Sequence, residues 1–206
     1  MPGAIESIEG TVLLREITGE SFDRITVLSP TDGIVTFLHR RSRKSATNSP
    51  LDLFDRISVT VELKDAGTLR FSREVRILQR RPGLGHRYEG LSEACRYARL
   101  LTVNPVHEDT RKVVADLLNR ALDAWERGDR ADIVAVKCLF LFARTEGYPV
   151  REEWHRLLSH SDRSAATRLL NHRTGEVDLD PSRVGSIRRS LEHYLQYHTE
   201  IRIDPL

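Results

Sequence analysis

The feature that most constrains this chain is a change of hydrophobic period near residue 80. Up to that point apolar residues alternate with polar ones in short β-branched runs, and beyond it they recur at helical spacing. A period of two and a period near 3.6 cannot serve one continuous sheet or one bundle, so two differently built units are expected. Strands are predicted over 8–17, 23–29, 33–40, 55–63 and 68–78, separated by the turn-formers TGES, SPTDG and DAG. In the fourth, Ile57, Val59, Val61 and Leu63 share one face while Ser58, Thr60, Glu62 and Lys64 share the other. In the fifth, Leu69, Phe71, Val75 and Ile77 are expected to oppose Arg70, Ser72, Glu74 and Arg76.

Five short, mostly antiparallel strands suit a small barrel of the OB kind. The run QRRPGLGHRYEG is punctuated by Pro82, Gly83, Gly85 and Gly90 and reads as a linker. The expected fold class is therefore α+β: an OB-like barrel over 1–80 carrying nucleic-acid binding, a linker over 81–90, and an all-α unit over 91–206 for partner contacts and scaffold. In the second unit Val113, Val114, Leu117, Leu118, Ala121, Leu122 and Trp125 form a helical stripe closed by Gly128. Residues 130–147 are apolar on most sides, as befits the central helix of a bundle, and Gly147 with Pro149 stops them. A last helix over about 181–199 begins at Asp180-Pro181, with Val184, Ile187, Leu191, Tyr194 and Leu195 on one stripe.

No run approaches the roughly 20 apolar residues of a membrane helix, and acids occupy the N-terminus where an export signal carries cations. A cytoplasmic protein without a membrane partner is expected. Cys95 and Cys138 sit among helix formers and are expected as small buried hydrophobes, which suits a reducing compartment. Neither they nor the histidines have the spacing of a closed metal site, so no metal and no other cofactor is expected.

The net charge of +2 is too small to identify a nucleic-acid binder, so the distribution of charge carries the argument. The run FLHRRSRKSATNSP has no acid and places Arg40, Arg41, Arg43 and Lys44 in one loop. A second group, Arg70, Arg73 and Arg76, lies on the fifth strand. Solvated surface charge is the plain alternative for either cluster. On an OB-like barrel, however, loops and strand faces of this kind follow a phosphate backbone while aromatics stack bases. Phe37, Phe54, Phe71 and Tyr88 are the available aromatics, with Phe54 and Phe71 assigned to the core by their alternation. Chemistry leaves only fragments: Glu152-x-x-His155 is half of a carboxylate-histidine metal pattern without a second copy, and GLG at 83–85 lacks a dinucleotide loop's third glycine. The protein is expected not to be an enzyme.

The opening IEGTVLLREITGESFDRITVLSPTDGIVTFLHRRSRKS resembles the first three strands of the RecO recombination mediators, with their GES-DRI turn, T-DG hairpin and basic loop. EGYP at 146–149 and the closing SIRRSLEHYLQYHTEIRI extend the likeness along the chain. Many members carry a four-cysteine zinc module after the Gly-Tyr-Pro position; here VREEWHRLLSHSDRSAATRLLN continues without a cysteine, so the resemblance is to a form lacking that module or to a divergent paralogue. It implies an N-terminal OB-fold, binding of single- and double-stranded DNA, strand annealing, and work with RecR and the single-stranded-DNA-binding protein to load RecA in recombinational repair. The alternative is a protein-interaction adaptor of the same architecture that no longer binds nucleic acid.

Overall fold

In a computed structural model, which describes residues 4–41, 50–64 and 69–203, the alternating first part of the chain closes into a five-stranded barrel. The chain divides into two units, Met1–Arg81 and Pro82–Leu206. The barrel strands are β1 (Ile5–Thr18), β2 (Phe22–Ser29), β3 (Gly33–Arg40), β4 (Arg56–Lys64) and β5 (Leu69–Gln79), in the order β1-β2-β3-β5-β4. The remaining edge closes by pairing β4 antiparallel to β1. Every neighbour is antiparallel except β3 and β5, which meet in parallel through the single pair Leu38 and Phe71. Val12, Ile25, Val27, Phe37, Ile57 and Val59 fill the interior at 1% exposure or less. Gly10 is required where β1 passes β2, because a Cβ there would lie 2.7 Å from the Leu28 carbonyl oxygen.

Shifts in register decide which face each side chain takes. On β5, Glu74 pairs with Thr60 but Ser72 with Val61, so Arg73 is an extra residue and the alternation reverses across it. Val75 and Ile77 pack on the core as expected. Phe71, paired with Glu62, instead lies on the outer face with Leu69, while Ser72 and Arg70 turn inward. The face predicted for Leu69 and Phe71 is corrected accordingly: strict alternation with Val75 and Ile77 would also put Arg73 in the core phase, and that charge marks where the alternation breaks. Of two other aromatics, Phe37 departs from expectation and Phe54 meets it. Phe37 is 1% exposed and belongs to the core, and Phe54, also core, takes a left-handed backbone with φ 67.

The second unit holds six α-helices among the described residues: α1 (Tyr88–Val103), α2 (Arg111–Arg127), α3 (Ala131–Thr145), α4 (Val150–Leu157), α5 (His160–Asn171) and α6 (Pro181–His198). Within the stretch read as a linker, Pro82–His86 forms a short 3-10 helix whose Leu84 is buried. Helix α3 is apolar on most sides because it packs against α1, α2 and α6 at once. Gly128, at φ 88, ends α2 in the left-handed turn that glycine accepts without a Cβ penalty. Asp180 caps α6 by accepting from the Ser182 amide at 2.8 Å, with Pro181 in the first turn. Cys138 is buried and its thiol pKa is pushed up to about 12 by desolvation. Cys95 is exposed, contrary to expectation, because it falls beside the buried stripe of Ala94, Tyr97, Ala98 and Leu101 rather than on it.

Val184, Ile187, Leu191, Tyr194 and Leu195 are the buried residues of α6. Leu191 is fully buried, and truncation of such a leucine costs about 2–5 kcal/mol because transfer energy and cavity act together. Leu191→Ala in the full chain is expected to lower the midpoint of the helical far-ultraviolet transition while leaving the barrel folded. An unchanged midpoint would show that α6 is not part of the helical core.

Candidate nucleic-acid interface

The outer face of β2, β3 and β5 gathers aromatic rings and cations. Phe22 at the start of β2 pairs with Arg40 at the end of β3, and Arg24 pairs with Leu38. The Phe22 and Phe71 rings meet edge to face, with centroids 5.8 Å apart and planes at 75°. Both rings are half-buried, so each is held by the sheet and still offers surface. Arg24 and Arg40 are exposed and make no ion pair or hydrogen bond among the described residues. The Lys64 ammonium stands 5.1 Å from the Phe71 ring centroid, within cation-π reach. Half-exposed rings set among cations on a barrel face are the combination that stacks bases and follows a phosphate backbone.

The arginines picked out from the sequence have unequal situations. Arg40 is exposed on this face; Arg43 and Lys44 lie outside the described residues. Arg41 is tied inward, its Nη2 donating to the Gly19 carbonyl at 2.6 Å and its Nε lying 3.5 Å from Asp23 Oδ1. Arg70, turned inward by the bulge, sits 3.6 Å from Glu6 Oε2. Arg73 Nη2 lies 2.6 Å from Glu62 Oε2, and Arg76 is exposed without a partner among the described residues. Sequence reasoning missed Phe22 and Arg24. The buried Ile25 and Val27 put odd positions of β2 inside, so Phe22 and Arg24 fall on the outer face, and an aromatic in a solvent phase is the signal that marks them.

One end of the interior is polar. Asp23, 3% exposed at its side chain, accepts from Arg15 at 3.0 Å as well as facing Arg41. His39 pairs with Asp23 across β2 and β3, and its Nδ1 shares a hydrogen bond of 2.9 Å with Ser72 Oγ. That bond joins the two strands that share only one backbone pair. Burial lowers the His39 pKa; the Asp23 carboxylate opposes this and the Arg15 guanidinium adds to it.

The carboxylate-histidine fragment does not assemble into a site. Glu152 is exposed, while the His155 ring lies against Trp154 with centroids 5.7 Å apart. Among the described residues no three potential ligands converge as a metal site would need. Among the same residues no helix is long and apolar enough to cross a membrane.

The fold defines the class: an α+β protein whose OB-like five-stranded barrel precedes an all-α unit. No family model matches the chain, and no curated protein matches it.

The His39 shift has a pH consequence with a definite sign. The folded barrel holds the imidazole neutral where the unfolded chain protonates it, at about 6.5. Barrel stability contributed by this group is full above that value and is lost as the pH falls below it. His39→Gln is expected to flatten the fall in stability between about pH 6.5 and 5 relative to wild type. His155 in the helical unit is shifted down too, by burial and then by Arg163 and Arg151, so the informative quantity is the difference between variant and wild type. Equal pH slopes would remove His39 from the account.

Proposed function

We propose that this chain is a DNA-binding recombination mediator of the RecO type. It binds single- and double-stranded DNA, promotes annealing of complementary strands, and acts in recombinational repair with RecR and the single-stranded-DNA-binding protein to load RecA. The reading places it in the cytoplasm and gives it no bond-making chemistry. One observation carries the nucleic-acid part: the outer barrel face sets the Phe22 and Phe71 rings beside Arg24 and Arg40, two arginines without partners among the described residues. Such a face contacts backbone and stacks bases of any kind, which suits a protein that must accept every sequence. The mediator part rests on the order of the sequence motifs, from the GES-DRI turn to the closing helix.

The alternative, an interaction adaptor without nucleic-acid binding, draws support from a groove of about 520 Å3 in the helical unit. It lies between α1, α3 and α6 and is lined by Tyr97, Leu100 and Leu139 with Arg96, Arg189 and His193. The same reading asks for an exposed apolar stripe on α6, and that stripe is buried.

The deciding experiment titrates salt against a labelled oligothymidine and a duplex with the full chain. Wild type should bind the single strand with a log-log slope near −0.7 for each phosphate contacted. Arg24→Ala with Arg40→Ala should flatten that slope by about 1.4, two phosphates' worth. Phe22→Ala with Phe71→Ala should weaken binding by about tenfold or more at an unchanged slope, since stacking is worth about 1–3 kcal/mol per base. Wild-type binding that is absent, or indifferent to salt, contradicts the proposal and leaves the adaptor.

A further inference from the structure

The nucleic-acid face contains a carboxylate. Glu62 pairs in register with Phe71 on one side and with Ile5 on the other, so it stands on the same outer surface as the aromatic rings. Its side chain is 11% exposed, whereas those of Arg73 and Lys64 are 61% and 53% exposed. One oxygen, Oε2, faces both cations: Arg73 Nη2 at 2.6 Å and Lys64 Nζ at 3.9 Å. The second of these is the ammonium that stands over the Phe71 ring. Hydrogen bonding from Arg73 holds the Glu62 carboxyl below the usual carboxylate range, with burial opposing and the charges of Arg73 and Lys64 assisting. At neutral pH the face therefore carries a negative charge where a strand's phosphates and bases would arrive.

We propose that Glu62 is a latch on this face: it holds Lys64 over the Phe71 ring and Arg73 against the sheet, and an entering single strand takes both cations onto phosphate and uncovers the ring for a base. The inference rests on the nucleic-acid reading and adds its regulation. A phosphate oxygen offers these cations the same charge-assisted bonds that the carboxylate does, so the exchange conserves ion pairs. What the strand gains beyond the exchange is stacking on Phe71 and released counterions. An anion without bases gains only the second. The ring's contribution is therefore confined to strands with unpaired bases, and the latch withholds it until Lys64 moves.

The test compares wild type, Glu62→Gln and Lys64→Gln on two probes: oligothymidine and an abasic strand with the same number of phosphates. Glu62→Gln removes the competing charge while keeping size and hydrogen-bonding capacity. It is expected to raise affinity for oligothymidine roughly five- to tenfold, the scale of two exposed ion pairs no longer to be exchanged. Its salt slope should stay close to that of wild type, because Lys64 and Arg73 neutralise the same phosphates in both complexes. The gain should be larger on oligothymidine than on the abasic strand, because only bases use the uncovered ring. Lys64→Gln should flatten the slope yet raise the ratio of oligothymidine to abasic affinity, which keeps the idea open to refutation should the Glu62 variant fold poorly. Thermal unfolding of both variants reports folding. If wild type binds and Glu62→Gln binds no better, or gains equally on both strands, the latch is wrong and the nucleic-acid face stands. If wild type binds neither strand, both fall together.

Discussion

The barrel depends on its weakest join. Four of its five strand contacts are long antiparallel ladders, while β3 and β5 meet in parallel through one backbone pair, Leu38 with Phe71, and a side-chain bond between His39 and Ser72. Bringing the last strand to the third requires β5 to bend, and the register shifts near Arg73 and Leu78 supply the bend. Because side chains alternate with a period of two, the shift at Arg73 also turns Phe71 outward and Ser72 inward. One added residue thus closes the barrel, supplies the hydroxyl for His39 and creates the aromatic surface beside Phe22.

The charges divide along the same line. Inward-facing arginines are engaged within the barrel: Arg15 and Arg41 with Asp23, Arg70 with Glu6. Outward-facing ones are either unpartnered among the described residues, as are Arg24, Arg40 and Arg76, or paired with a carboxylate at the surface, as is Arg73 with Glu62. A cluster of cations in the sequence is therefore two populations in the fold. Arg41, adjacent to Arg40, braces the turn at Gly19 instead of facing solvent on the outer surface.

Much of the architecture was legible because both periods are strong. The alternation of 57–63 and the stripe of 184–195 each arise from one face meeting a core, and the structure buries Ile57, Val59, Val61, Val184, Ile187 and Leu191 as that logic requires. The α+β order of barrel and helices follows from those periods. What the sequence concealed is whatever depends on register. Phe71 reads as core because it shares its parity with Val75 and Ile77; Arg73, a charge at that same parity, is the mark of the bulge in LRFSREVRIL. Phe37 reads as available because its strand ends in cations. Phe22 was overlooked because it stands beside a turn, although its parity relative to Ile25 places it outside. The proposed site is thus legible in its arginines and illegible in its rings, since a charge announces itself by type and an exposed aromatic only by phase.

The central claim is that single-stranded nucleic acid lies across the outer face of β2, β3 and β5. The most direct measurement is amide chemical-shift mapping of the isotope-labelled full chain titrated with a short oligothymidine. The account predicts that the largest changes fall on Phe22, Arg24, Leu38, Arg40 and Phe71, the last on a strand that meets the others through the single pair Leu38 and Phe71. Changes confined to the helical unit, or no changes at saturating oligonucleotide, would contradict it.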